Sequence, residues 1–304
     1  MDPLVSSSLG AFGARHGGAT LAALAVIVMA EYALMRWIGR GRYDWRESAA
    51  SLAIAAGQRL LKPVGALLYG GLFAAVWQDR LWTLPMDRWW SIPVVVLAVE
   101  FAYYWYHRSS HTVRLFWTSH LVHHSVEHLN LSAAYRLGWT SNLTGAGLFF
   151  VPLIWLGIEP TVVVVTMAAN LLYQFWLHTE LVPKLGPIEW IFNTPSHHRA
   201  HHASNPRYLD RNYGGILIVF DRLFGTFAEE RADDPCRYGL VEPLRSGNPF
   251  RIALHGWFTL GRDIASDLRQ GHWRRLPWRL FAPPGWKPVA QQSGSLVPLE
   301  GLPQ

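Results

Sequence analysis

Nine of the fourteen histidines fall in three short clusters, and this placement constrains the chain more than any other feature. His107 and His111 form H-R-S-S-H, and His120, His123 and His124 form H-L-V-H-H. His197, His198, His201 and His202 lie in S-H-H-R-A-H-H, and a tenth histidine, His178, follows an apolar run in Q-F-W-L-H-T. Spacings of three and four place side chains on one face of a helix, so each cluster can aim several imidazoles at one spot. One H-x-x-x-H arises by accident on surface helices, but two copies of H-x-x-H-H beside it do not fit a packing role. The chain is expected to bind metal, and more than one ion, since nine imidazoles exceed a single four-ligand site.

The composition describes what surrounds that metal. Half of the 304 residues are hydrophobic and only 16% are charged, against about 25% charged in soluble domains. Sixteen Trp and eleven Tyr suit membrane–water interfaces, where a ring sits half dry and half wet. The net charge of +6 comes from 24 Arg and 3 Lys against 21 acidic residues. With no basic run or nucleic-acid motif, that excess suits an anionic lipid leaflet and argues against nucleic acid as a partner. The single cysteine, Cys236, rules out an intrachain disulfide and any multi-cysteine metal site.

Along the chain, residues 1–18 read as a Gly/Ser-rich tail and 19–38 as a first membrane span, interrupted by Glu31. Arg36, Arg40, Arg42 and Arg46 follow it and are placed in the cytoplasm by the positive-inside rule. Residues 49–77 are predicted as an interfacial helix, a kink at Pro63 and a short span from Val64. The loop at 78–90, with Trp82, Trp89 and Trp90, forms an outer aromatic belt, and 91–106 returns inward to deliver His107. The runs 143–158 and 161–177 form a hairpin turning at Pro160 that brings His178 to the same side. Residues 213–221 pack against the metal centre. A helix over 250–268 turns Leu254, Trp257, Phe258 and Ile264 inward. The stretch 272–287, with Trp273, Trp278 and Trp286 among Arg274, Arg275 and Arg279, either lies on lipid headgroups or caps the soluble portion.

The expected architecture is therefore all-α: a polytopic membrane helical protein with a cytoplasmic helical cap holding a histidine-rich di-metal centre. Three regions follow: an N-terminal tail and first span at 1–45, a membrane and catalytic domain at 46–230, and a cytoplasmic or interfacial extension at 231–304. All-imidazole coordination without cysteine suits Fe, Zn, Cu or Ni. Two ions with four or five ligands each leave positions open for dioxygen.

The boxes H-R-S-S-H (107–111), H-L-V-H-H (120–124) and H-R-A-H-H (198–202) resemble those of the fatty acid hydroxylase/sterol desaturase superfamily of membrane di-iron oxygenases. The surrounding segments F-A-Y-Y-W-Y-H-R (101–108), H-H-S-V-E-H-L-N-L-S (123–132), L-L-Y-Q-F-W-L-H-T-E (171–180) and N-Y-G-G-I-L-I-V-F-D-R-L-F-G-T-F (212–227) are most similar to its alkylglycerol monooxygenase branch. The resemblance covers about residues 45–230, and the C-terminal segments look more like bacterial members.

The resemblance implies two iron ions held by His107, His111, His120, His123, His124, His178, His198, His201 and His202. It implies hydroxylation of a lipid C–H bond with dioxygen at a bacterial inner membrane, the boxes facing the cytoplasm. For an alkylglycerol, the ether bond would be cleaved, with tetrahydrobiopterin or another separate electron donor as reductant. His197, Gln174, His128 and Glu100 are further candidates, as ligands or as partners of ligands. Gln174 stands where some relatives carry a histidine, four residues before His178. Glu127 is a weaker candidate of the same kind, and His16, His255 and His272 carry no assigned role. Desaturation or hydroxylation of a fatty acyl, sterol, hopanoid or carotenoid lipid remains open, as does a histidine-rich metal-binding or transport protein.

Overall fold

A computed structural model describes residues 43–288 together with 23, 25–39 and 41. The N-terminal tail, residues 19–22 of the expected first span and His16 lie outside the described residues. Among those residues the structure is helical, with three isolated β-bridges and no strands. Helix α1 (25–38) precedes α2 (Trp45–Gln78), α3 (Ser91–Thr112) and α4 (Arg114–His124). The short helices α5 (Ser141–Thr144) and α6 (Val151–Trp155) precede α7 (Pro160–Phe175). The chain continues through α8 (Pro195–His202), α9 (Val219–Leu223), α10 (Pro249–Arg269) and α11 (Leu276–Phe281).

Helix α2 is one helix of 34 residues, not two pieces. Asp44 caps it by accepting from the Arg46 amide at 2.8 Å and the Glu47 amide at 3.4 Å. Pro63 lies inside it without ending it. Proline costs one backbone hydrogen bond there, whereas a break in an apolar setting would strand several more. At 1.5 Å per residue the helix is about 51 Å long. Among the described residues it alone is long and apolar enough to cross a bilayer. Many of its outward residues are apolar, with Leu60 and Leu67 more than 80% exposed, while Arg59 and Lys62 near its middle are exposed as well. The outer faces of α3 (Ile92, Val94, Leu97, Phe101) and α7 (Val164, Val165, Leu171, Leu172) are apolar too.

The apolar run at 143–158 is not a continuous helix. It folds as α5, a 3₁₀ turn at Ala146–Phe150 and α6. Gly145, at φ 107°, ends the first piece. Gly157, at φ 110°, lets the chain pass within contact of the Trp82 carbonyl, where a Cβ would sit 2.3 Å away. The 78–90 loop is thereby pinned to α6, with the Leu81 and Leu84 amides donating to the Trp155 and Gly157 carbonyls at 2.8 and 2.9 Å.

Two carboxylates, Glu31 buried and Glu47 half-buried, tie the first helices to the metal-bearing segments. Glu31, read from sequence as an interruption of a span, is buried. It accepts from Tyr43 (2.6 Å), the Leu131 amide (2.8 Å) and Thr179 (2.5 Å), the residue after His178. Glu47, on the first turn of α2, accepts from the amides of Glu127 (2.7 Å) and His128 (3.1 Å) and from His128 Nδ1 (3.0 Å). It thus holds the chain as it leaves α4.

Helix α10 lies across α4, but with a different inward face from the one expected. Ile252, Ala253, Gly256 and Leu260 are buried, and Phe258 is exposed. The cause is Gly256: a Cβ there would meet the Thr118 carbonyl at 2.4 Å, so glycine sets the closest approach of the two helices. The 272–287 stretch carries features of both of its readings. Trp273, Trp278 and Arg274 face outward. Arg279 is buried, and its Nε donates to Asp267 at 2.6 Å, with Arg275 on the same carboxyl group at 3.4 Å. Two of the three arginines are thus spent on holding α11 to α10.

Candidate metal centre

The nine box histidines and His178 come from four places in the fold. His107 and His111 stand one turn apart at the end of α3. His120, His123 and His124 lie on the last turns of α4, His178 follows α7, and His197, His198, His201 and His202 lie on α8. Nine of the ten converge into two groups. His107, His111, His120, His124 and His201 form one, group A. His123, His178, His198 and His202 form the other, group B. Within each group the ligand nitrogens all lie within 4.8 Å of one another.

Helix geometry explains this division. Both α4 and α8 carry H-x-x-H-H, and the first and fifth positions of each lie one turn apart on one face. The fourth position is turned about 100° from the fifth. In α4 the pair His120/His124 serves group A and His123 turns to group B. In α8 the pair His198/His202 serves group B and His201 turns to group A. Each motif therefore bridges both groups, in opposite senses. The pair His107/His111 completes group A. Its counterpart in group B is Gln174/His178, at the same spacing, with glutamine in the first place. The Gln174 side chain instead accepts from Tyr103 at 2.9 Å and donates to Asn170.

Backbone carbonyls fix the rings. Nδ1 of His107 donates to the Tyr213 carbonyl (2.8 Å), and His201 to Arg211 (2.8 Å). His178 donates to Gln174 (2.8 Å) and His123 to Arg136 (3.3 Å). Asp210 lies 3.4 Å from His111 Nδ1. A carbonyl only accepts, so these four carbonyl-bound rings carry their proton on Nδ1 and a bare lone pair on Nε2. Burial, reinforced in most of the nine by neighbouring rings, holds all of them below the usual imidazole range. His178 and His201 are pushed down to about 4. Neutral imidazole is the form that binds metal.

The donor set fits a cation. His123 Nε2 and His178 Nε2, both lone-pair acceptors, face each other at 3.2 Å. Two lone pairs cannot hydrogen-bond, and only positive charge between them makes that contact favourable. His201 Nε2 is buried in group A with no hydrogen-bond partner. Other Nε2–Nε2 separations run from 3.0 Å (His107–His120, His178–His198) through 3.1 Å (His111–His120, His198–His202) to 3.2 Å (His120–His124). Nitrogens about 2.1 Å from one ion are about 3.0 Å apart at a right angle and about 3.4 Å at a tetrahedral one. The separations thus suit nitrogens that share one ion.

The remaining candidates lie outside both groups. His197 is buried on the other side of α8, its ring edge-on to Phe227. His128 is held by Glu47. Glu100 is buried and accepts from Asn170 and from the amides of Ile216 (2.8 Å) and Leu217 (3.0 Å), so it orders the loop beyond Tyr213. Glu127 is exposed. Residues that sequence reading did not single out are Arg136, Arg211 and Tyr213. They act on the histidines through their backbone carbonyls, which leave no residue-type signature. Tyr213 did fall within the run expected to pack against the centre, and its ring lies 5.2 Å from that of His111. A cavity of about 200 Å³ opens onto group A between Trp117, Asp210, Leu240 and Pro283, and is also lined by His111, His124, His201 and His202.

Imidazoles gathered in two groups, each able to hold a metal ion, define a histidine-rich metal-binding centre, and comparison with known proteins shows what the chain resembles. Residues 92–226 match the model of the fatty acid hydroxylase family. It is 37% identical over 266 residues to alkylglycerol monooxygenase of Homo sapiens, covering 86% of this chain and 58% of the relative. It is 50% identical over 161 residues to that of Danio rerio, covering 53% of this chain and 35% of the relative. A more distant relative is the ornithine lipid hydroxylase of Rhizobium tropici, 30% identical over 164 residues, covering 53% of this chain and 50% of the relative. The chain spans about half the length of the curated relatives it matches. No solved structure matches it.

Proposed function

We propose that this protein is a membrane-embedded di-iron monooxygenase that hydroxylates a C–H bond of a lipid, with an alkylglycerol as substrate. The observation that carries this reading is the pair of facing lone pairs of His123 and His178, embedded in nine imidazoles, eight buried and His120 half-buried, that separate into groups of five and four. The family and the similarity to alkylglycerol monooxygenases support iron and a lipid substrate.

In this reading His107, His111, His120, His124 and His201 hold one ion, and His123, His178, His198 and His202 hold the other. When bound, iron there supplies dioxygen activation and attack on an unactivated C–H bond. The protein supplies the rest. Carbonyl-bound Nδ1 protons keep Nε2 of four ligands aimed inward, and burial keeps the rings neutral. The apolar outer faces of α2, α3 and α7 stand in the bilayer, so an alkyl chain reaches the centre without crossing water. The 200 Å³ cavity beside group A admits dioxygen and electrons from a separate donor, tetrahydrobiopterin or another small reductant. Hydroxylation beside an ether oxygen gives a hemiacetal, which collapses to a fatty aldehyde and a free glycerol hydroxyl.

The topology belongs to the same proposal: α1, α2, α3 and the α6–α7 hairpin lie in a bacterial inner membrane, polytopic, with the histidines and the 231–304 extension on the cytoplasmic side. With Cys236→Ser as background, an impermeant thiol reagent added outside intact cells should label Asp87→Cys and spare Arg207→Cys. Labelling of the second alone reverses the orientation.

The function is tested with iron-loaded protein in lipid nanodiscs, supplied with a 1-O-alkylglycerol, tetrahydrobiopterin and ¹⁸O₂. Borohydride trapping should yield a fatty alcohol carrying ¹⁸O, absent without dioxygen. Unlabelled aldehyde, or product formed without dioxygen, would overturn the reading.

A further inference from the structure

A line of aromatic rings leads away from group A, and its middle member has an exit for its proton. The ring of Tyr213 lies 5.2 Å from His111 and 5.9 Å from His107. Tyr104 lies 6.0 Å from Tyr213, and Trp105 lies 5.5 Å from Tyr104. Tyr104 is fully buried, whereas Trp105 is half-buried and reaches the surface. Rings in such contact pass single electrons quickly compared with enzyme turnover.

Oxidising a tyrosine at a moderate potential requires that its phenolic proton leave at the same time. The Tyr104 hydroxyl lies 2.9 Å from Thr226 Oγ1. Thr226 gives its own hydrogen to Asp221 Oδ1 at 2.6 Å, so it can only accept from Tyr104. Arg108 donates to the phenol oxygen at 3.2 Å and takes nothing from it. The Tyr104 proton therefore has one route, through Thr226 to Asp221. That carboxylate is buried with no cationic partner in contact; it accepts from Thr226 and from the amides of Tyr213 (2.8 Å) and Gly214 (2.7 Å). Burial lifts it to about 6, which favours taking up a proton. Ordinary packing requires neither a hydroxyl on Tyr104 nor a buried carboxylate at the end of its hydrogen-bond chain.

We propose that Tyr104 is a one-electron relay that drains oxidising equivalents from group A to the surface through Trp105 when no lipid C–H bond is within reach. The proposal rests on the monooxygenase reading. In the step, Tyr104 releases one electron towards group A by way of Tyr213. The Tyr104 O–H bond breaks as its proton passes to Thr226, whose proton passes to Asp221. The resulting phenoxyl is refilled by one electron arriving through Trp105 from a reductant in solution, such as ascorbate or a thiol, and the proton returns from Asp221.

The test mixes reduced, iron-loaded protein with dioxygen in the absence of lipid, freezes it within milliseconds and records its electron paramagnetic resonance spectrum. The wild type should show a tyrosyl radical that ascorbate removes. Tyr104→Phe should lack it and lose activity several-fold faster during lipid-free turnover, with oxidised residues found by mass spectrometry nearer the histidines. Thr226→Val, which keeps the shape and removes the proton route, should also suppress the signal. Both variants should form product at the wild-type rate in the first turnovers with lipid present. A wild type that oxidises lipid but shows no tyrosyl radical, or the same radical and inactivation rate in Tyr104→Phe, overturns the relay and leaves the monooxygenase intact. A wild type that oxidises no lipid overturns the reading beneath it.

Discussion

Alanine at His111 or at His123 is expected to abolish lipid oxidation while removing different ions. His111 belongs to group A and His123 to group B. Each lies on a helix whose neighbouring ligands point along fixed directions, so no other imidazole can swing across to fill the gap. The loss should exceed the ~10–100-fold that removal of an outer hydrogen-bond partner costs. Metal analysis should find the other group still loaded in each variant, because no ligand is shared between the groups. His197→Gln is the matched control on the same helix as three ligands. Its ring faces Phe227, so metal content should stay at the wild-type level. Wild-type turnover in His123→Ala, or loss of metal in His197→Gln, would break the assignment.

The convergence of the histidines was legible in the sequence because helical spacing and residue type together encode it. Their division into two groups follows from the repeated H-x-x-H-H, once the helices are known to face each other. What was not legible lies in groups that carry no pattern. Glu31 reads as a flaw in an apolar span until Thr179 and Leu131, far along the chain, arrive to bond it. Pro63 reads as a kink between an interfacial helix and a short span, yet α2 runs through it as one helix, because an interrupted apolar helix would leave more of its backbone unpaired. In α10 the inward face follows Gly256 and its contact with Thr118, so Phe258 faces out although the apolar pattern turned it inward. Glu100 and His128 are polar residues near the histidines in sequence, but their hydrogen bonds order loops around the centre.

Arg136→Met is expected to give the largest loss of stability among changes outside the ligands. Arg136 is 2% exposed. Its guanidinium donates to Ser51 Oγ (3.1 Å), the Ser125 carbonyl (3.3 Å) and hydroxyl (3.2 Å), and the Glu47 carbonyl (3.1 Å). It also faces the Glu47 carboxylate at 3.6 Å. Methionine fills the space but leaves these acceptors and that carboxylate without their donor, a loss on the order of 3–5 kcal/mol. Lysine offers one point charge for a planar fork and should recover only part of it. The Arg136 carbonyl also holds His123, so group B should lose metal before group A. Denaturant unfolding in detergent micelles, followed by tryptophan fluorescence, measures the first effect, and metal analysis along the same titration measures the second. A change below about 1 kcal/mol, the size of an ordinary substitution, would show that the arginine network does not hold the α2–α4 junction.

The central claim is that this chain builds two separate imidazole sites and works with both filled. Its most direct test is the metal content of purified, catalytically active protein, counted against protein concentration, with Mössbauer spectroscopy of ⁵⁷Fe-loaded material to identify the ions. Two irons per chain, falling to one in His198→Ala with loss of lipid oxidation, is the result expected from five ligands in one group and four in the other. Fully active protein holding a single ion, or none, would contradict it.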